Sequence, residues 1–176
     1  CVPQLTADEV ILELGPGTGV VTRELRARFP KNRIISVEIN GEFCKKLKKE
    51  FPDERVRAAE NSKIEDVIRE LSIPNTKIAA VVSGIPFVSI PDELKPRIWA
   101  AIARVLEIGK PYIQFSYIAA YWKKQFFPGF ERQKTRKVFD RCRDVFRDLA
   151  EVVSGVRCIG GHAHEAERHC RAHYIV

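Results

Sequence analysis

The chain has 176 residues and a formal net charge of +7. This length suits one domain with a sizeable core and is too short for two ordinary domains. The excess of positive charge indicates an anionic partner, either nucleic acid or an acidic membrane surface, without choosing between them.

The cysteine content and the apolar runs indicate in which cellular compartment the protein is expected. Five cysteines without a dense framework, in a domain large enough to fold without disulfides, favour a reducing compartment. No apolar run approaches the length of a membrane span, and the chain begins at Cys1 without a signal-like segment. Because the chain has no methionine, we expect that Cys1 is not the natural start and that an upstream segment is missing.

The first element is the segment VILELGPGTGVVT at residues 10–22. An apolar strand over Val10–Leu14 leads through a glycine-rich turn into a helix over Thr18–Phe29, which is the unit that opens nucleotide-binding α/β domains. A dinucleotide fingerprint has glycine at its sixth position, where this chain has Val20. A turn that only joins a strand to a helix is the alternative. The candidate ligand-binding residues are Glu13, Gly15, Pro16, Gly17, Thr18 and Gly19.

The second strand, Arg33–Glu38, ends in a carboxylate. Glu38 lies 19 residues beyond Gly19, at the carboxyl end of the strand, where an acidic side chain can accept hydrogen bonds from both hydroxyls of a ribose. A glycine loop and a strand-terminal acid together are more specific than either feature alone. A surface glutamate is the alternative.

Strands and helices continue to alternate along the chain. The apolar run KIAAVV at 77–82 is typical of a central parallel strand covered on both faces. The pattern predicts an α/β, doubly wound fold with a mostly parallel sheet and helices on both faces. The further predicted elements are helices over 42–51, 63–71 and 93–106 and strands over 55–58, 77–82 and 110–117.

These segments resemble the class I methyltransferases that use S-adenosylmethionine. ELGPGTG at 13–19 resembles their motif I, whose loop wraps the amino-acid end of the cofactor, and VEIN at 37–40 resembles their second motif. The resemblance implies that Ile39 covers the adenine and that Glu60, beside Asn61, contacts the adenine amino group. It also implies a Rossmann-like fold and S-adenosylmethionine as the cofactor.

The segment SGIPF at 83–87 follows the fourth strand, at the edge of the sheet where open α/β folds bind ligands. Methyltransferases that act on adenine N6 are similar here but carry Asn or Asp where this chain has Ser83. Together with Pro91, the segment resembles the bacterial phospholipid N-methyltransferases, which carry Ser-Gly-apolar-Pro. A generic tight turn is the alternative. The residues that the resemblance places at the methyl acceptor are Ser83, Gly84, Ile85 and Tyr117, with Ser83 also near the cofactor.

Aromatic and basic residues are interleaved after the fifth strand. They suit the headgroup region of an anionic bilayer, and they also suit stacking on single-stranded nucleic acid. Packing of the aromatic rings against the edge of the sheet is the third possibility. The resemblance to the phospholipid enzymes favours lipid. The predicted membrane contacts are Trp122, Lys123, Lys124, Phe126, Phe127, Phe130 and Arg132.

The resemblance extends to Phe139. It predicts a methyltransferase domain over 1–139 and a divergent tail over 140–176 that either completes the sheet or is poorly ordered. Related domains end in an antiparallel strand pair, which the charged segment after Phe139 does not resemble. The tail holds all four histidines together with Cys158 and Cys170, but their spacing matches no metal-site pattern, so we predict no metal.

The function implied by the resemblance is N-methylation of a phospholipid amine head group, that of phosphatidylethanolamine or its methylated forms. We expect a monomer in the cytoplasm, bound peripherally at the inner face of the membrane. One alternative is an adenine N6 methyltransferase acting on ribosomal RNA, or another nucleic-acid methyltransferase. The other alternative is a cofactor-binding or membrane-surface module without turnover.

Overall fold

The computed structural model describes residues 5–53, 55–59, 63–115, 130–136 and 170–175. The strands are β1 (Val10–Leu14), β2 (Arg33–Glu38), β3 (Arg55–Ala58), β4 (Ile78–Ser83), β5 (Tyr112–Phe115), β6 (Phe130–Arg136) and β7 (Cys170–Ile175). The helices of more than one turn are α1 (Val20–Arg28), α2 (Gly41–Glu50), α3 (Ile64–Glu70) and α4 (Lys95–Val105).

The strand order of the described sheet is β3-β2-β1-β4-β5-β7-β6, and every pairing is parallel. The chain builds outward from β1 through β2 to β3, and then returns to the other side of β1 to add β4 and β5. The direction of winding therefore reverses between β1 and β4. In open α/β sheets a ligand crevice forms at this reversal, outside the carboxyl ends of the strands.

Helices cover both faces of the sheet, which is why its central strands are mainly apolar, with Glu13 in β1 and Ser83 in β4 as buried polar residues. Every residue of β1 and β4 is buried. On one face Leu12 and Leu14 belong to a core cluster that includes Ile68 of α3 and Ile102 of α4. On the other face Ile11 packs with Leu25 of α1 and its neighbours. The predicted doubly wound α/β fold is confirmed.

The helix ends follow local chemistry. Asn40 caps α2, because its Oδ1 atom accepts hydrogen bonds from the backbone N–H groups of Glu42 and Phe43 at 2.9 and 3.3 Å. Pro96 lies in the first turn of α4, where a missing N–H is tolerated. That helix begins at Lys95, two residues later than predicted, because Pro91 O and Leu94 N first close a turn at 3.0 Å.

The last two strands differ from the antiparallel pair expected of related domains. β7 lies between β5 and β6 and is parallel to both. A parallel pairing requires a crossover of a dozen or more residues, which the 33 positions 137–169 between β6 and β7 can supply. Residues 170–175 of the predicted tail thus form a strand of the sheet. Within the described ranges, no helix has the length and apolar character that a membrane span requires.

Candidate functional site

Two loops meet at the point where the winding reverses. The glycine loop, residues 15–19, follows β1, and the 84–87 loop follows β4. Gly15 N donates to Val37 O of β2 at 2.9 Å, and Gly84 N donates to Leu14 O of β1 at 2.8 Å. The ends of three neighbouring strands are therefore joined by backbone hydrogen bonds directly beneath both loops.

The glycine loop is open at its centre. Gly17 has a φ of +55°, which L side chains rarely adopt, and a Cβ added there would have no neighbouring heavy atom within 4 Å. Gly19 begins α1, and its N–H closes the loop by donating to Pro16 O at 2.9 Å. Pro16 is buried and Thr18 is exposed. The loop thus leaves backbone accessible at Gly17, where a ligand can approach closely.

Glu38 joins the end of β2 to this loop. Its side chain is only 5% exposed. One carboxylate oxygen accepts from Gly17 N at 2.9 Å, and the other accepts from Asn40 N at 2.8 Å. An ionised carboxylate offers about four acceptor positions, so two remain for the hydroxyls of a bound ribose. Glu38 thus contacts the glycine loop, which agrees with its predicted position at the carboxyl end of β2.

Ile39 presents an apolar side chain next to Glu38. It is 65% exposed. Ile39 lies at one end of a cavity between α3 and the edge of the sheet. A flat aromatic ring placed on Ile39 would cover this exposed apolar surface. The cavity is lined by Ile39, Arg57, Ala59, Lys63, Asp66, Val67 and Glu70.

Glu13 lies under the glycine loop and not on its open surface. The residue is 1% exposed. Both of its oxygens accept from Thr22 Oγ1 of α1, at 2.9 and 3.0 Å, and Oε2 also accepts from Ser36 Oγ of β2 at 2.7 Å. Burial raises the pKa of Glu13 to about 7, although the two hydroxyl donors oppose the shift; the nearby charge of Glu38 adds to it. Glu13 was predicted to bind the ligand, and its contacts make it a brace between α1 and β2.

In the 84–87 loop, the backbone is accessible and the predicted side chains are not. Ser83 is 0% exposed, and its Oγ accepts from Ile85 N at 3.3 Å. The Ile85 side chain is 2% exposed. Gly84 is exposed, and a Cβ added there would lie 2.8 Å from Gly15 O. The backbone of Gly84 therefore faces the crevice while packing closely on the glycine loop.

The 84–87 loop is held by three residues to which the sequence assigned no role in the site. Gln114 Nε2 donates to Ile85 O at 3.0 Å, and Gln114 Oε1 accepts from Tyr112 Oη. Trp99 stacks on Phe87 with ring centroids 4.5 Å apart and planes 10° apart. One signal for Gln114 was available in the sequence: a polar residue in the otherwise apolar strand YIQF.

Several predicted residues lie outside the described ranges, and their assigned roles stay predictions. They are Glu60, Asn61, Tyr117, Trp122, Lys123, Lys124, Phe126 and Phe127. Phe130 and Arg132 lie in β6, of which the backbone alone is described. The histidine-rich part of the tail before β7 also lies outside the described ranges. In the part of the chain that is described, no group of three or more His, Cys, Asp or Glu side chains is arranged to hold a metal ion.

A family profile described as a methyltransferase domain matches residues 11–109, more than half of the chain. The chain belongs to this methyltransferase family. The match begins in β1 and ends just before β5, so it includes both loops of the crevice. The predicted family is thereby confirmed, and the match supports S-adenosylmethionine as the cofactor.

Relatives of two kinds are similar to this methyltransferase. The ornithine lipid N-methyltransferase of Singulisphaera acidiphila is 28% identical over 139 residues, which are 78% of this chain and 68% of that protein. The ribosomal RNA small subunit methyltransferase A of Acaryochloris marina is 41% identical over 86 residues, which are 44% of this chain. This chain spans only 28% of the length of that second relative.

A solved structure supports the fold. PKMT2 from Rickettsia typhi, in complex with AdoHcy, matches with a TM-score of 0.51 and 16% identity, over 62% of this chain and 20% of that one. The relatives do not choose between a lipid and a nucleic-acid acceptor, since both kinds are similar to this methyltransferase.

Proposed function

We propose that this methyltransferase transfers the methyl group of S-adenosylmethionine to the amine of a lipid head group. The similarity to a lipid N-methyltransferase over 78% of the chain is the observation that carries the proposal. The ribosomal RNA relative quoted above matches 44% of the chain. The 84–87 loop also lacks an Asn or Asp side chain that could hold an adenine amino group.

The residues of the crevice suit the proposed cofactor. Gly17 leaves room for close approach to the backbone, and Glu38 retains acceptor positions for ribose hydroxyls. Ile39 offers an exposed apolar surface for the adenine ring. When bound, the cofactor supplies an activated methyl group for in-line displacement by a nucleophile.

The protein's part in such a transfer is mainly to align the acceptor. Holding two reactants in a productive geometry contributes a large share of the barrier reduction, on the order of 7–11 kcal/mol in favourable cases. The amine must arrive without its proton, because its lone pair attacks the methyl carbon, and burial lowers the pKa of an ammonium group. The backbone carbonyl of Gly84 would orient the amine, since Gly84 is exposed. We assign no general base.

We infer phosphatidylethanolamine and its methylated forms as the acceptors. The proposed membrane contact is the aromatic and basic segment that runs from Trp122 to Arg132, and the proposed location is the inner face of the membrane, with the protein as a monomer. Flotation with anionic liposomes tests the contact: the wild-type protein should float, whereas a variant with Trp122, Lys123 and Lys124 changed to Ala should remain in solution.

Labelled cofactor provides the test of the acceptor. The protein is incubated with labelled S-adenosylmethionine and, separately, with vesicles containing phosphatidylethanolamine, vesicles containing ornithine lipid, and ribosomal RNA. Label in phosphatidylethanolamine supports the proposal. Label in ornithine lipid alone supports a lipid amine acceptor and overturns the phosphatidylethanolamine assignment.

The second candidate is methylation of ribosomal RNA, favoured by the 41% identity to ribosomal RNA small subunit methyltransferase A. Label in RNA and not in lipid would establish it. A third candidate is a module that binds the cofactor without turnover. Calorimetric binding of S-adenosylmethionine with no label in any acceptor would support that candidate.

A further inference from the structure

The 84–87 loop is held from behind by a buried network from β5. Gln114 is 1% exposed and Tyr112 is 0% exposed. Gln114 Nε2 donates to Ile85 O at 3.0 Å and to Phe115 O at 2.6 Å, while Gln114 Oε1 accepts from Tyr112 Oη. Ile85 N also donates to Ser83 Oγ at 3.3 Å. One continuous network thus joins both ends of the segment Ser83–Ile85.

Aromatic packing holds the next part of the same loop. Phe87 stacks on Trp99 of α4, and Trp99 meets the Tyr112 ring edge-on at a centroid distance of 5.3 Å and an interplanar angle of 79°. The Tyr112 side chain therefore serves both systems, with its hydroxyl in the polar network and its ring in the aromatic cluster. A shift of Tyr112 would be transmitted to Ile85 through Gln114 and to Phe87 through Trp99.

This network meets the reaction site at one carbonyl group. Ile85 O follows Gly84, whose backbone is exposed to the crevice and packs on Gly15. A carbonyl oxygen has two lone pairs, and both lone pairs of Ile85 O are engaged, by Gln114 Nε2 at 3.0 Å and by Phe87 N at 2.9 Å. Gln114, itself fixed by Tyr112, thus helps to orient the peptide group between Ile85 and Pro86, while Ser83 Oγ accepts from the N–H of the peptide group between Gly84 and Ile85.

We propose that Gln114 and Tyr112 are positioning residues for methyl transfer, which set the 84–87 loop at the distance from the glycine loop that the acceptor requires. The proposal rests on the acceptor being bound at Gly84, as proposed above. The cofactor side of the crevice has its own hydrogen bonds, from Glu38 and Glu13. Loss of the Gln114 network therefore impairs acceptor turnover while cofactor affinity is retained.

The main test compares Gln114→Glu with Asn32→Asp. Asn32 is a matched control, because it is 6% exposed and its Nδ2 donates to two backbone carbonyls, Thr6 O and Glu9 O, at the amino end of the sheet. Each variant replaces an amide donor by a carboxyl of the same shape. Tyr112→Phe is a milder third variant, which removes one hydroxyl and keeps the ring that packs on Trp99.

The expected result separates turnover from binding. Gln114→Glu should lower kcat/KM for the acceptor by about tenfold or more, and Tyr112→Phe by about threefold, which corresponds to the loss of about one hydrogen bond. The dissociation constant of S-adenosylmethionine should stay within about twofold of wild type in both variants. Asn32→Asp should lower the thermal midpoint of unfolding by about as much as Gln114→Glu does, and it should leave kcat/KM nearly unchanged. Equal losses of kcat/KM in Gln114→Glu and Asn32→Asp, or unchanged kcat/KM in Gln114→Glu, would overturn the proposal.

Hydrogen exchange gives a readout that does not depend on the identity of the acceptor. The N–H groups of Gly84, Phe87 and Ser89 donate to Leu14 O, Ile85 O and Pro86 O. Their exchange should accelerate about tenfold in Gln114→Glu, while that of Gly17 and Gly19 stays at the wild-type rate. Unchanged exchange in the 84–87 loop would contradict the network's role.

The kinetic comparison uses whichever acceptor the wild-type protein methylates. Methylation of RNA and not of lipid would overturn the proposed function while leaving the Gln114 test intact. If the wild-type protein methylates neither acceptor, hydrogen exchange alone decides the proposal about the loop.

Discussion

The two halves of the crevice are held by different interactions. On the proposed cofactor half, at the ends of β1 and β2, the acidic side chains of Glu38 and Glu13 accept from backbone N–H and hydroxyl groups. On the proposed acceptor half, at the ends of β4 and β5, the loop is held by the neutral amide of Gln114 and by stacked aromatic rings. Hydrogen bonds to charged groups are roughly twice as strong as neutral ones. The cofactor half should therefore respond to charge and pH, and the acceptor half to shape.

The largest expected effect concerns the buried carboxyl of Glu13. Because burial raises its pKa from 4.5 to about 7, the folded state holds a proton that the unfolded state releases, so stability falls as the pH rises through this window. The loss is on the order of 3 kcal/mol between about pH 5 and pH 8. Urea unfolding across this range measures it, and Glu13→Gln should remove most of the slope.

Glu42→Gln is the control for this pH effect, since Glu42 lies on the exposed surface of α2. It should keep the wild-type slope. A slope that persists in Glu13→Gln would show that another group is responsible, and the charge of the cofactor half would then lose its expected role in stability.

Loss of the Glu38 carboxylate should have the next largest effect. Glu38→Ala removes the acceptor of Gly17 N and the proposed acceptor of ribose hydroxyls, so cofactor affinity should fall by about 2 kcal/mol, or roughly thirtyfold. Calorimetry with S-adenosylmethionine measures the change. Glu42→Ala should bind as the wild type does, and equal affinity in Glu38→Ala would mean that the ribose lies elsewhere.

A methyl group at residue 84 tests the contact between the halves. In Gly84→Ala the new Cβ would lie 2.8 Å from Gly15 O, a backbone atom that cannot rotate away, so the loops must separate. Stability should fall by about 1–3 kcal/mol. Gly41→Ala is the control, because nothing lies within 4 Å of a Cβ at that position. A wild-type unfolding midpoint in urea for Gly84→Ala would show that the loops can move apart at no cost.

The smallest effect is expected at the rim of the cofactor half. Arg23 forms an ion pair with Glu50 at 3.2 Å and donates to Gly19 O at 3.2 Å, yet its side chain is 48% exposed. Arg23→Ala should therefore change the free energy of unfolding by no more than about 1 kcal/mol, and less at high salt. A larger effect, insensitive to salt, would show that exposed charges also support the glycine loop.

The sequence by itself determined the elements as far as β5, and it placed the glycine loop and Glu38 at strand ends. Local patterns located β1, β2 and β4 to within one residue, because buried parallel strands are mainly apolar. The glycine loop and Glu38 could be recognised together, since each stands at a strand end and the carboxyl ends of parallel strands meet at one edge of the sheet.

Only the tertiary structure decided what each buried polar group does. Ser36 is 23 residues from Glu13, and Gln114 is 29 residues from Ile85, so no local pattern relates the partners. The sequence also does not show that the Ser83 side chain is buried while the backbone of Gly84 is accessible. Neighbouring parallel strands bring such residues together only after the intervening helices have packed, because each crossover returns the chain to the sheet at a distance in sequence.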